Sequence, residues 1–234
     1  NKFISSKDQL AWHLIPSGTK FVDEINDFVD EISADYIGIL TPNLVGFSPE
    51  WLEVLISQAH QNKIGAVAPK LLNQNGSVFS NGIILTPDYK VHHLFRGKID
   101  DEGYFGWGIL RKGYAALSEE CIVMKRSRFI SVRGFDKSYH QPLTSTIDLC
   151  LKLKKQGFRN ILCPSIILYV QNTRSYNMER NKNIIYLNEK DSRLFKQKWE
   201  LYFKHDPCFN PRLDFNNEDK LTINLSSNQN IKRS

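Results

Sequence analysis

Few side chains in this sequence stand at spacings that do chemistry unaided. The four cysteines, Cys121, Cys150, Cys163 and Cys208, form no C-x-x-C pair. Three lie inside apolar segments, where cysteine behaves as a small hydrophobe. They read as reduced, buried thiols rather than disulfides or metal ligands, and a reducing, cytoplasmic setting follows as the default expectation. His92 and His93 read as loop residues rather than ligands. Thr41-Pro42-Asn43 reads as a turn leaving an apolar run. An amide oxygen such as that of Asn43 can ligate a hard cation but brings no charge, and Thr41 is likewise neutral. Asp148 reads as an acid near a helix start, where it complements the helix dipole. Ser145 and Thr146, just before it, carry hydroxyls that accept no proton near pH 7.

Charge and composition narrow the class. The net charge is +6, with 41% hydrophobic and 24% charged residues, the values of an ordinary globular chain. A basic balance suits a phosphate-bearing ligand, a nucleic acid or an anionic surface. The lysines and arginines are dispersed, however, and Lys152, Lys154 and Lys155 read as a solvated helix face. Without a basic stripe, nucleic acid is not an expected partner. No apolar run reaches the ~20 residues that span a bilayer, so no transmembrane segment is expected. The opening residues lack the charged-then-apolar pattern of a signal peptide.

The elements that must position these residues follow from periodicity. Residues 11–15 read as a short strand. Residues 21–32 place apolar side chains at helical spacing with acids opposite. The compact apolar runs 36–40 and 65–69 read as buried strands, neighbours at the centre of the sheet. Between them, Ser48-Pro49-Glu50 gives a hydroxyl cap and a first-turn proline for a helix carrying Trp51, Leu52, Leu55, Ile56 and Ala59. Strand–helix–strand order with short joints predicts an α/β fold with a largely parallel sheet. Asn75-Gly76 and Asn81-Gly82 are turn signals flanking short apolar runs. Residues 97–113 read as a long loop, 121–124 as another strand. A helix through Ile147, Cys150 and Leu151 ends near Gly157, a suitable residue just past a helix end. Short strands 161–162 and 166–169 flank Pro164, and 184–199 reads as helical. Residues 1–215 form one expected domain and 216–234 a polar tail or linker.

Several segments resemble family 2 glycosyltransferases of the GT-A fold. Residues 34–43, ending in Leu40-Thr41-Pro42-Asn43 and followed by Pro49-Glu50-Trp51-Leu52, look like the strand that ends at that family's metal-binding Asp. Gly65-Ala66-Val67-Ala68-Pro69-Lys70-Leu71-Leu72 is similar to the next strand. Phe95-Arg96-Gly97 and Gly103-Tyr104-Phe105-Gly106 resemble a loop of a bacterial branch that builds surface polysaccharides. Arg133-Gly134-Phe135-Asp136 matches a Gly-Gly-Phe-Asp element with its first Gly replaced. Asp148-Leu149-Cys150-Leu151, Gly157-Phe158-Arg159 and Pro164 match the helix and strand that follow. Trp199 and Asp206-Pro207-Cys208-Phe209-Asn210-Pro211 are similar to the branch's ending.

The resemblance covers roughly residues 14–219 and implies a mostly parallel central sheet flanked by helices. The first nucleotide-binding strand–helix unit of the family is not recognisable. A nucleotide sugar and a glycan acceptor are the implied partners, with further domains of a larger glycosyltransferase, and a divalent cation (Mn or Mg) is the implied cofactor. The cation position falls on Asn43, with Thr41 beside it. The base position falls on Thr146, two residues before Asp148, which could serve in its place. Glu119 stands where the family often has Gly. It reads as a displaced carboxylate in the site, as a block to the donor sugar, or as a solvent-facing residue. Packing positions match the family while reactive carboxylates are replaced. Two functions follow: an active glycosyltransferase with unusual ligands, or a non-catalytic GT-A domain that binds glycan or partner.

Overall fold

The structure, a computed structural model, describes residues 10–16, 18–100, 102–103, 106–171, 184–185, 187–210, 213–215 and 221–223. Helix α1 (Phe21–Glu31) leads to strand β1 (Tyr36–Leu40) and β2 (Leu44–Phe47). Helix α2 (Trp51–Ala59) connects to the long strand β3 (Ile64–Asn73). Short strands β4 (Val78–Ser80), β5 (Ile83–Leu85), β6 (Val91–His93) and β7 (Lys112–Tyr114) follow. Then come β8 (Cys121–Lys125), α3 (Arg126–Ser131), α4 (Pro142–Lys155) and the long β9 (Arg159–Val170). The chain continues with β10 (Ile184–Ile185), α5 (Glu189–Lys204), β11 (Leu213–Phe215) and β12 (Leu221–Ile223).

The main sheet runs β1-β8-β3-β9-β2, with β4 also on β3 and β7 also on β9. Its centre is β3 beside β9, parallel, both near-continuous apolar runs buried on their two faces. Every other pairing in this sheet is antiparallel. The largely parallel sheet expected from strand–helix–strand order is therefore corrected to a mixed, mostly antiparallel one. The expected neighbours are corrected too. β1 and β3 run in the same direction, but β8 inserts between them, antiparallel to both.

The alternation of β3 sorts the core into two layers. Val67 and Leu71 join Leu55 and Ala59 of α2 on one face. Ala66 and Ala68 join Ile147, Leu149 and Leu151 of α4, with residues of α1 and α5, on the other. Burying a side chain such as Leu55 completely is worth roughly 1.5–3 kcal/mol. Helix α4 runs antiparallel to the strand it precedes: Phe158 packs against Gly65, and the Arg159 N–H donates to the Lys63 carbonyl at 2.9 Å. The start of α4 therefore lies toward the edge of the sheet where β1 and β3 end.

Several local expectations are corrected. Residues 11–15 form no strand. Helix α2 begins at Trp51, because Glu50 takes a left-handed conformation (φ 56°) and shuts out the Ser48-Pro49 start. The two short strands around Pro164 are one strand, β9. Its register against β3 jumps from Pro69↔Cys163 to Lys70↔Ile167, so the segment containing Pro164 bulges out of the ladder. His92 and His93 lie in β6, both buried. Residues 184–185 are a strand, and the helix starts at Glu189, capped by the Asn188 side chain, which accepts from the Asp191 N–H at 2.7 Å. β11 and β12 pair antiparallel, from Leu213↔Ile223 to Phe215↔Leu221.

Candidate functional site

The end of β1 and the start of β8 meet at one edge of the sheet. The register Leu40↔Cys121 continues one step further, and the Thr41 N–H donates to the Glu120 carbonyl at 3.0 Å. The Thr41 hydroxyl donates to Asn43 Oδ1. The Asn43 carbonyl is itself fixed by the Gln171 N–H at 2.8 Å, just past the end of β9. Pro42 and the tight turn thus set Thr41 and Asn43 over the ends of three strands.

Opposite them stand Ser118, Glu119 and Glu120, all buried. Glu119 is 4% exposed, which corrects the reading of it as solvent-facing. Glu120 is fully buried and accepts from the Ser118 hydroxyl through Oε2. Sequence reasoning missed Glu120. The signal was there in a weak form: two adjacent acids immediately before an apolar strand. Burial and then the Glu120 charge push the Cys121 thiol up, so this cysteine is no nucleophile.

Thr146 and Asp148 are placed on α4, and both are buried. Asp148 lies beyond the first turn of the helix, so it is not the dipole-complementing acid expected from the sequence. It accepts from the Trp199 indole N–H at 2.8 Å, and ion-pairs with Lys198 at 2.7 Å and Lys152 at 3.3 Å. Lys198 also pairs with Asp136 at 2.8 Å. Burial works to raise the Asp136 carboxyl, but Lys198 and the Ser138 backbone outweigh it and hold it at about 2. Asp148 is thus tied into a charged cluster joining α4, α5 and the Asp136 turn. The described contacts join Thr41, Asn43, Ser118 and Glu120 as one group, with Glu119 between two of them in the chain; none of these contacts links the group to Thr146 or Asp148.

A divalent cation does not fit the Thr41–Asn43 corner. The Asn43 oxygen is taken up by the Thr41 hydroxyl, and the amide atom left buried without a partner is the N–H₂. An N–H₂ donor repels a cation and suits an oxygen acceptor. Among the described residues, no three His, Cys, Asp or Glu side chains are grouped to hold a metal ion.

The comparisons with known proteins agree with this architecture. No family model matches the chain. It is 28% identical over 199 residues to the uncharacterized protein y4gI of Sinorhizobium fredii, a match that covers 83% of this chain and 22% of that protein. It is 26% identical over 189 residues to the O-antigen biosynthesis protein RfbC of Myxococcus xanthus, covering 78% of this chain and 14% of that protein. The chain thus spans about a fifth and a seventh of the length of these two relatives. Among solved structures, GalNAc-T7 with UDP, GalNAc and Mn2+ is similar with a TM-score of 0.51 at 8% identity, over 66% of this chain and 31% of that one. The chain has a GT-A-like glycosyltransferase fold and is a distant homologue of a protein of O-antigen biosynthesis.

Proposed function

We propose that this chain is the glycosyltransferase-type domain of a polysaccharide- or glycan-assembly protein, and that it receives a nucleotide sugar at the edge formed by Thr41, Asn43, Glu119 and Glu120. The observation that carries this reading is the placement of that edge. It lies where β1 and β3, parallel to one another, both end, and open α/β sheets take their ligands at the ends of such strands. The buried, unpartnered amide N–H₂ of Asn43 supplies a donor for a phosphoryl or carbonyl oxygen. Glu119, the buried neighbour of Glu120 in the chain, is assigned the role of taking a proton from an acceptor hydroxyl. The RfbC likeness supports polysaccharide as the product class.

A second reading is favoured by one specific observation. Asp148 is committed to Trp199, Lys152 and Lys198, and the base position two residues earlier is the neutral Thr146. A domain with those properties binds glycan or a partner without transferring sugar. The two readings separate in one experiment. The chain is incubated with uridine, guanosine and thymidine diphosphate sugars and a lipopolysaccharide-derived acceptor, and release of nucleoside diphosphate is measured. Release that is lost in Glu119→Gln supports transfer. Binding of nucleotide sugar without release supports the non-catalytic reading. Absence of both rejects the nucleotide-sugar site.

A further inference from the structure

The main sheet has a seam at β3. Its first half pairs with β8, at Ala66↔Met124 and Val67↔Val123, and its second half pairs with β4, at Leu71↔Ser80. Lys70 stands at the changeover. Beside it opens a cavity of about 420 Å³, a size that suits a small-molecule ligand. Continuing the β3–β8 register by three residues sets Lys70 level with Glu120, on the opposite side of β8 from Thr41.

We propose that this cavity binds one neutral pyranose ring of a glycan acceptor, an inference that rests on the glycosyltransferase-type reading above. The wall carries Lys70, Asn81, Phe95, Ile99 and Asp100. Asn81 is fully buried, and its orientation is fixed because Nδ2 donates to the Trp107 carbonyl at 3.0 Å. Its Oδ1 then has no partner among the described residues. A buried acceptor left unmatched is costly, by roughly 1–3 kcal/mol, and a ligand hydroxyl removes that cost. Lys70 is 3% exposed and its ammonium pairs with the Asp100 carboxylate at 2.6 Å. Lys70, Asn81 and Asp100 together present donors and acceptors with no net charge, and Lys98 adds one exposed ammonium at the rim. An anion gains Lys70 but meets Asn81 Oδ1 and Asp100. A cation gains those oxygens but meets Lys70. A ring of hydroxyls, each both donor and acceptor, satisfies all of them. The Phe95 ring and the exposed Ile99 supply an apolar flank for the C–H face of such a ring.

Titration of the ¹⁵N-labelled chain with methyl glycosides of glucose, galactose, mannose and N-acetylglucosamine tests the assignment, with inorganic phosphate and glucuronate as charged counterparts. At least one neutral glycoside is expected to shift the amides of residues 78–81 and 95–100 with a millimolar Kd. Asn81→Leu is expected to weaken it about tenfold. Where Asn81→Leu does not fold, Ile99→Asp on the exposed rim reads the same site, with weakening of roughly threefold. The proposal is overturned if no neutral glycoside shifts these amides, if phosphate or glucuronate shifts them as strongly, or if the folded variant binds as the parent does. Nucleotide sugar added to the same sample reports separately at residues 41–43 and 118–121. Loss of that response alone counts against the donor edge and leaves the pyranose cavity standing.

Discussion

The Trp199 indole N–H donates to Asp148 at 2.8 Å with both side chains buried, and this one contact decides what Asp148 is for. A carboxylate that holds an indole and two ammonium groups stabilises the joint between α4 and α5. Trp199→Phe, which removes the donor and part of the bulk, is expected to lower the unfolding free energy by about 2 kcal/mol. Asp148→Ala removes the buried carboxylate that Trp199, Lys152 and Lys198 share and is expected to cost about 3 kcal/mol. Urea unfolding of the two variants checks both. If Asp148→Ala abolishes nucleotide-sugar binding without loss of stability, the structural role is wrong.

The Arg133-Gly134 pair carries two left-handed residues in succession, with φ of 61° and 58°. Arg133 occupies a conformation that costs a side-chain-bearing residue about 1–2 kcal/mol. Arg133→Gly is therefore expected to stabilise the chain by up to about 1 kcal/mol, after the greater freedom of glycine in the unfolded state is offset. At Gly134 a Cβ would meet Phe129 at 2.7 Å and the Asn26 side chain as well, in addition to the wrong φ. Asn26 clamps this turn by accepting from the Phe135 N–H at 2.8 Å and donating to its carbonyl at 3.0 Å. Gly134→Ala is expected to destabilise by more than about 2 kcal/mol. Thermal melts of the two variants should move in opposite directions.

Acid stability depends on Asp136. Its folded value of about 2 lies below the ordinary carboxylate value. A depressed folded value means the unfolded chain binds the proton first as pH falls. The stabilisation is full above the unfolded value of ~3.9 and is lost as pH drops through about 2. Discounted for solvent screening at the partly exposed pair with Lys198, it amounts to about 1 kcal/mol. Asp136→Asn is expected to remove that pH dependence, and unfolding curves taken between neutral pH and pH 2 read it directly.

Chelator should have little effect on any nucleotide-sugar binding. The Thr41–Asn43 corner lacks the anionic oxygens that hold a hard cation against water. The expected change in Kd on removing manganese is less than about twofold, and calorimetric titration with and without chelator measures it. Chelator-abolished binding that is also lost in Asn43→Ala would restore Asn43 as a ligand.

Much of the fold was legible because its central strands are written as apolar runs bounded by turns. β1, β3 and β8 were each readable in this way. Their order was not. The strand–helix–strand pattern correctly sets β1 and β3 in one direction, but nothing local announces that a strand far along the chain inserts between them. Pro164 read as a break because proline cannot donate to a ladder; β9 tolerates it by bulging. The Thr41–Asn43 turn was readable from a neighbouring proline and strand end. Lys70 and Asn81 were not singled out, since a lysine within a strand and an asparagine before glycine look respectively like a solvated charge and a turn. Only the packing makes them buried and polar together.

Helix α5 buries Asp191, Phe195, Trp199 and Phe203, one residue in every four. On a straight helix each such step overshoots a full turn by about 40°, so the stripe would rotate by roughly 120° from first to last. Trp199, the one residue of α5 with non-helical angles (φ −128°, ψ 16°), breaks that rotation. It works as a phase correction: Asp191 stays against Thr144 of α4 at 2.7 Å while Phe203 reaches Tyr89 and Phe195 in the core. The indole that ties down Asp148 therefore also keeps both halves of α5 in step with a single core.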